Sequence, residues 1–482
     1  MTARGVRTGE DAEDQDFDVE EALALVKGPE SAAPGHGPAG EGHGPAGHAP
    51  APGTAHGAPH PREGARTPDG AQPSAAHSPD ARHHATPWPQ ARETAARAAR
   101  AAARRDAVAV PLDAALGLVL AEPLAALTDL PSFDTSAMDG WAVAGPGPWD
   151  VRDEGVLAGH AQPEPLTDGE AVRIATGARV PQDTTAVLRS EHGRTDAKDR
   201  LHSTREVEHG QDIRPRGQEC RSGDQLLPVG TLVTPAVLGL AAAAGYDTLT
   251  AVPRPRVDVF VLGDELLTEG LPHDGRIRDA LGPMLPPWLR ALGAEVATVR
   301  RIGDDAKALH RAISRSEADL IVTTGGTAAG PVDHVHPTLR RVGAELLVDG
   351  VKVRPGHPML LARTKDRQHL VGLPGNPLAA VSGLLTLAEP LLRTLAARPA
   401  PEPYTLPLKD AVHGHPHDTR LVPVVLRGDH AAVLHYNGPA MLRGVAAADA
   451  LAVVPPGGAR QGQETELLDL PWAAAGIGVC FT

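Results

Sequence analysis

Aromatic residues make up only 2% of this 482-residue chain, and it has just two cysteines, Cys220 and Cys480. Two thiols cannot staple a secreted scaffold, so a reducing cytoplasm is the expected setting. Positive charge is short as well: 46 Lys and Arg against 60 Asp and Glu leave a net charge of −14. Such a balance disfavours loose attraction to nucleic acid or to an anionic membrane, and any anionic ligand would need basic residues gathered locally. No charged-then-apolar leader opens the chain, and the apolar stretch around 233–244 is too short and interrupted to cross a bilayer, which takes about 20 residues. We therefore expect a cytoplasmic protein whose partners include neither nucleic acid nor membrane. Two nucleotide signatures are also missing, the GxxxxGK[ST] P-loop and a convincing GxGxxG after a strand, which sets aside ordinary ATPases and dinucleotide enzymes.

Alanine, glycine, proline and arginine are abundant, in the manner of a GC-rich coding bias, so a single Ala or Gly carries little information here. The length exceeds one hydrophobic core, and several domains of about 100–200 residues each are expected. Residues 1–89 stand apart as a Gly/Pro/Ala/His-rich tail that cannot bury enough apolar surface to offset its ordering, and they read as disordered. Its eight histidines between 29 and 89 lack fixed spacing, and they read as composition rather than as a metal site. Near its start, "DFDVEEALALVKG" (16–28) is either a short helix over 16–27 that orders on a partner or a solvated acidic terminus.

Organised sequence begins near Gln90. "ARETAARAARAAARRDAVAV" favours helix, and "PLDAALGLVLAEPLAAL" reads as a second helical stretch ending at Pro123. Short β-like runs punctuated by Gly and Pro follow to about residue 211. From Arg256 the pattern changes: "RVDVFVL", "ADLIVTT" and "HLVGL" are apolar runs separated by helical stretches, each ending in a Gly-containing loop, which predicts parallel βαβ units. After Ala397 short β-like runs return.

In an open α/β sheet, ligands bind beyond the carboxyl ends of the strands, where glycines let backbone amides approach. Three such ends occur. "VLGDEL" offers Asp264 and Glu265; "TTGGTAAGPVDHV" offers the amides of Gly325, Gly326 and Thr327 with Asp333; "GLPGNPLAAV" offers Asn376 as a helix cap ahead of Pro377. Amides at a helix start suit phosphate and carboxylates suit Mg²⁺, so a phosphorylated or nucleotide-like ligand with a metal is expected.

Taken together, "LPSFDTSAMDGWAV" (130–143), "VRIATGARVP" (172–181), "IRPRGQECRSGDQLLPVG" (213–230), "LGDEL" (262–266), "TTGGTAAGPVDHV" and "LPGNP" (373–377) resemble, in their order, the molybdopterin molybdotransferases of the MoeA and gephyrin E-domain family. The resemblance covers roughly 90–482. It implies a multidomain α/β plus β protein of elongated MoeA-like architecture. A linker domain would comprise 90–130 and 212–253, a β-rich domain carrying "SAMDG" 131–211, an α/β molybdopterin-binding domain 254–397, and a C-terminal β-barrel domain 398–482. It further implies insertion of molybdate into adenylylated molybdopterin with release of AMP, assisted by Mg²⁺, in a homodimer working beside other proteins of molybdenum cofactor biosynthesis. Asp139, Glu265 and Asp333 match the family's acidic positions, as catalytic and metal-holding residues. Thr176, Gly325, Gly326, Pro374, Asn376 and Arg354, with Arg214 and Arg216, are the substrate-binding candidates. In the family's dimer, Asp139 and Thr176 of one protomer face the α/β domain of the other.

Several positions depart from the family's pattern. Val261 and Leu262 stand where Ser-Thr is usual, and Asp279, Ala280 and Leu281 stand where the family has Asp-Ser-Asn. Ala328 and Pro331 replace a serine and an acid, Arg354 and His357 a lysine pair, and Glu219 a shorter acid. The retained acids favour chemistry, while the lost polar contacts favour an alternative: a catalytically impaired paralogue that binds molybdopterin or acts as a scaffold.

Overall fold

In the computed structural model, residues 85–102, 105–159, 163–327 and 333–471 are described. The expectations for the tail up to residue 84, including a helix over 16–27, and those for Ala328, Pro331 and Cys480 lie outside the described residues. Order reaches slightly further upstream than the composition suggested. Thr86–Pro87 pairs in parallel with Val351 and Lys352, and helix α1 (Trp88–Ala101) opens on a tryptophan that is only 4% exposed. Helix α1 buries Trp88, Ala91, Ala95 and Ala99, an i, i+3/i+4 stripe of small residues behind one large anchor. Burying an indole this fully is worth about 3–5 kcal/mol.

The segment after α1 is not the long second helix that its Ala and Leu content predicts. Only Leu112–Ala115 is helical; Val108–Pro111 and Val119–Leu120 both pair with Thr248–Val252, in a three-stranded sheet. Gly117, at φ 76°, ends the helical turn, and Val119 and Leu120 then bury themselves against the sheet. Tertiary pairing overrides a weak local propensity here. Helix α2 (Pro235–Ala243), capped by the Thr234 hydroxyl accepting from Val237 N, closes this unit.

The unit is interrupted by the β-rich domain. The chain leaves at Leu130 and returns at Cys220, where Leu130 N donates to Cys220 O at 2.9 Å. Between them lies a six-stranded sheet containing β1 (Gly140–Val143), β2 (Glu170–Ile174) and β3 (Ala186–Arg189), with β1 central between the other two. Alternate residues of β1 go to opposite faces: Trp141 and Val143 join Trp149, Leu188 and Leu201, while Ala142 joins Val172, Ile174 and Val187. Both faces are buried, so the loop that precedes β1 is held rigidly.

The third unit is the expected α/β domain. Strands β4 (Arg256–Leu262), β5 (Glu295–Ile302), β6 (Leu320–Thr324), β7 (Glu345–Asp349), β8 (Leu360–Lys365) and β9 (Gln368–Leu373) lie in the order β5-β4-β6-β9-β8-β7. The first four are parallel; β8 and β7 add antiparallel. Helix α3 (Leu281–Ala291) packs along β4 and β5. Helices α4 (Ala306–Arg315) and α5 (Val335–Arg341) cover the face formed by Phe260, Ile321 and Leu370. A 19-residue helix, α6 (Pro377–Leu395), lies on the other face, where Gly383 lets it approach Leu373. It is apolar and long enough to cross a membrane by composition, but 78% of its window is buried inside the protein.

Helix α1 docks on α6 at its π-helical stretch, Leu384–Ala388. Trp88 Nε1 donates to Thr386 Oγ1 at 3.0 Å, and Arg92 donates to the Leu385 carbonyl. The first helix of the expected linker thus packs on the α/β domain. Past α6, Thr419–Arg427 and Ala450–Val454 lead a curled seven-stranded sheet, which the excursion Val351–Arg354 from the α/β domain also joins.

Candidate functional site

In the α/β sheet the strand order reverses between β4 and β6, because β4 is followed on one side by β5 and on the other by β6. A doubly wound sheet leaves a crevice beyond the carboxyl ends of strands at such a point. A cavity of about 520 Å³ is found there, lined by Leu262, Glu265, Asp279, Leu281, Gly325 and Asn376 together with Ala440 and Leu442 of the last domain. A smaller one of about 90 Å³ shares Glu265, Gly325 and Leu262 and adds Gly326, Asp304 and His334. A third, about 370 Å³, shares Asn376 and is walled by Arg354, His357, Pro374, Arg420 and Asn437.

The glycine pair after β6 forms the floor of this crevice. Gly325 and Gly326 sit at φ 77° and 63°, a region open to glycine, and Gly375 lies alongside, where a Cβ would meet the Gly325 Cα at an ordinary contact distance of 3.8 Å. Gly325 N is spent on Leu373 O at 2.8 Å, so among the described residues the amides of Gly326 and Thr327 are the ones left for a ligand. Asn376 occupies the capping position of α6 but its side chain makes no capping bond. The first α6 amides turn instead to the last domain, with Leu378 N donating to Pro439 O at 3.0 Å. The Asn376 amide is thereby left to face two cavities, a different task from the cap expected of it.

The three acids are held in different ways. Asp139, exposed, precedes β1; its Oδ1 accepts from Thr176 N at 2.7 Å and Thr176 Oγ1 at 3.0 Å. The turn that presents it is built by Ser136, whose hydroxyl donates to Met138 O at 2.5 Å. Gly140 is required next, since a Cβ there would lie 1.9 Å from the Leu188 carbonyl. Glu265 is exposed; its backbone carbonyl accepts from Ile277 N at 2.9 Å, but its carboxylate makes no hydrogen bond or ion pair among the described residues. Asp333 is half-buried and fully engaged: Oδ1 accepts from Val335 N at 3.1 Å and His336 N at 3.2 Å, and Oδ2 lies 2.7 Å from His336 Nδ1. The other nitrogen of that ring, Nε2, is 2.9 Å from Asp349 Oδ1. Burial works against the charged imidazole, but the bonds and charges of Asp349 and Asp333 outweigh it and raise the pKa of His336.

No three His, Cys, Asp or Glu residues gather into a metal-binding group among the described residues. Within one chain, Asp139 and Asp333 line none of the three crevice cavities, although His334 beside Asp333 lines one, whereas Glu265 lines two. Of the basic candidates, Arg354 borders the third cavity while its Nε donates to Asp418 Oδ2 at 2.8 Å. Arg216 is ion-paired with Asp129, whose carboxyl is held below the usual range by Ser222 N and by Arg216. Arg214 is exposed on a two-residue strand beside Thr135. A larger open groove, about 620 Å³, lies in the β-rich domain between 145–149 and 202–209 and holds none of the expected residues.

Sequence reasoning missed His336, Asp349, Arg420 and the 437–442 loop. "DHVH" carried a usable signal, since an acid and a histidine three apart at a helix start face each other. Arg420 and the loop reach the crevice, and Asp349 reaches His336, only through tertiary contacts.

Three family descriptions match consecutive parts of the chain. They are the MoeA N-terminal region (domain I and II) over 86–245, a probable molybdopterin binding domain over 258–394, and the MoeA C-terminal region (domain IV) over 405–470. The chain is 35% identical to a molybdopterin molybdenumtransferase 2 of Mycobacterium tuberculosis, over 72% of this chain and 91% of that protein. It is 32% identical to a molybdopterin molybdenumtransferase of a Nostoc species, over 66% and 77%. A crystal structure of a molybdopterin biosynthesis MoeA protein from Pyrococcus horikoshii superposes with a TM-score of 0.65 at 25% identity, covering 80% of this chain and 99% of that one.

Proposed function

The chain belongs to the MoeA family of molybdopterin molybdenumtransferases, and on that premise we propose that it inserts molybdate into adenylylated molybdopterin with release of AMP, as a cytoplasmic homodimer. The observation that carries this reading is the crevice at the switch point, where a glycine floor, an unbonded carboxylate and an arginine-walled annex adjoin. The 520 Å³ cavity is of a size to take the pterin adenylate. The amides of Gly326 and Thr327 would receive phosphate oxygens, and Asn376 and Pro374 would bound the path toward Arg354, His357 and Arg420. Those basic groups would gather the charge that an anionic reactant needs in a chain of net charge −14.

Mg²⁺ is the cation implied, and the donors present fit it in part. Glu265 keeps both oxygens uncommitted and Asp139 keeps Oδ2, which are the hard oxygens such an ion takes. Asp333 has both oxygens occupied and is better placed to orient than to ligate. When bound, the ion would neutralise phosphate and molybdate oxygens. Because Asp139 lies outside the crevice of its own chain, a second copy would bring it there, with Thr176 fixing one oxygen and leaving the other turned outward.

One observation favours the scaffold alternative: Leu262, Ala280 and Leu281 line the main cavity where the family pattern is polar. The deciding assay mixes the full-length protein, adenylylated molybdopterin, Mg²⁺ and molybdate, and follows AMP by chromatography. We expect AMP release that depends on molybdate. Tight binding of the adenylate without turnover would establish the scaffold reading instead.

A further inference from the structure

His336 lies between two carboxylates, and each of its ring nitrogens is within hydrogen-bond distance of one of them: Asp333 Oδ2 at 2.7 Å and Asp349 Oδ1 at 2.9 Å. None of the three is freely exposed; the side chains retain 12%, 18% and 24% exposure for Asp333, His336 and Asp349. A carboxylate has no proton to give at neutral pH, so both contacts are made only if the ring donates from both nitrogens. The bridge also spans distinct parts of the fold. Asp333 and His336 belong to the start of α5, which abuts the glycine floor: a Cβ on Gly326 would lie 3.3 Å from Val335 Cγ2. Asp349 ends β7, at the turn that carries the chain into Val351–Arg354. That turn is itself tied to the arginine-walled annex, because Val351 N donates to His357 O at 2.9 Å and His357 Nδ1 lies 2.9 Å from Val351 O.

We propose that His336 is a positioning residue for the transferase reaction, holding the Asp333 carboxylate beside the glycine floor by anchoring it to Asp349 and the turn that leads to the annex. The two backbone donors of Asp333 both bind Oδ1, so they alone would leave Oδ2 free to swing. The histidine removes that freedom. Its role is directional, since one nitrogen faces the working acid and the other faces the anchor.

This inference rests on the proposed transferase activity, and the experiment separates the two. His336→Leu removes both bonds. His336→Asn offers an amide donor near the place of Nδ1 and keeps the Asp333 bond, and His336→Gln reaches toward the place of Nε2 and keeps the Asp349 bond. Rates of molybdate-dependent AMP release are compared with KM for the adenylate and with Tm. His336→Leu should lower kcat by about 10-fold to 30-fold while KM changes less than about 3-fold. His336→Asn should recover only part of the loss and His336→Gln little of it, because each keeps one bond and neither rebuilds the bridge from Asp333 to Asp349. Full recovery by either single-bond variant, a kcat for the leucine variant equal to wild type, or losses that merely follow Tm would overturn the assignment while leaving the transferase standing. Wild-type protein that releases no AMP with molybdate would remove both.

Discussion

Two acids expected to serve one reaction are set in opposite surroundings. Asp139 stands exposed at the entry to a sheet buried on both faces, with a single residue bonded to a single oxygen. Asp333 sits half-buried at a helix start, with both oxygens taken and a histidine bridge behind it. The first is held by the stiffness of the backbone around it, and the second by its own hydrogen bonds. An acid of the first kind can lend an oxygen to an incoming cation or water at little cost, while one of the second kind must stay where its partners hold it. The difference suits a divided site, in which the accessible acid comes from one subunit and the fixed acid belongs to the subunit that cradles the substrate.

The largest expected effect tests that division. Asp139→Asn and Asp333→Asn keep shape and remove charge, and each should lower molybdate-dependent AMP release by at least about 100-fold. Unfolding and refolding the two variants together should restore roughly a quarter of wild-type activity. Half of the dimers would then be mixed, and each mixed dimer would assemble one site with both acids intact. No recovery from a refolded mixture shown to contain mixed dimers would mean that both acids act within one chain, and the comparison would lose its basis.

A smaller effect separates the two domains by their response to acid. In the β-rich sheet, Glu170 is held to about 2 by its bond from Arg152 and by Thr167, so this carboxylate stays charged well into acid. The α/β domain carries His369 on β9, almost wholly buried, its pKa lowered to about 4 by burial and by Arg363. A base with a folded pKa below its unfolded value favours the folded state while neutral. Its contribution is complete above the unfolded pKa of about 6.5 and is lost as pH falls toward 4. Between pH 7.5 and 5 the loss from this group comes to about 2 kcal/mol. Denaturant midpoints of wild type and His369→Gln across that range should show the variant with the shallower decline. Parallel curves would show that the buried imidazole is not the group responsible.

Much of this arrangement could be read in the sequence, and the part that could not shares one cause. The βαβ alternation after Arg256, the glycine floor and "SAMDG" are local features, fixed by periodicity and turn chemistry, and the structure shows each as an element or a turn. The helix expected through 111–123 became strands because Val119 and Leu120 pair with a segment more than a hundred residues away. Trp88 read as part of a tail because its partner, Thr386, lies 298 residues on. Arg420 and Pro439 reach the crevice only because the last domain folds back over α6. Contacts of that range leave no periodic trace. His336 is the exception: its bond to Asp333 is local, and "DHVH" contained it.

The smallest effect concerns what holds Asp139. Thr176 gives it two bonds, from the backbone at 2.7 Å and from the hydroxyl at 3.0 Å, both to Oδ1. Thr176→Val keeps the shape and the backbone bond while deleting the hydroxyl, so the carboxylate should stay in place but turn more freely. An exposed hydrogen bond is worth about 0.5–1.5 kcal/mol, which corresponds to a loss in kcat of roughly 2-fold to 13-fold. Thr176→Ser should restore the rate, because it returns the oxygen without the methyl group. A valine variant as fast as wild type would show that the backbone bond suffices and that Asp139 is fixed by its turn alone. A valine variant as slow as Asp139→Asn would give the hydroxyl a larger task, contact with the substrate itself, and Thr176 would then belong with the acids rather than behind one of them.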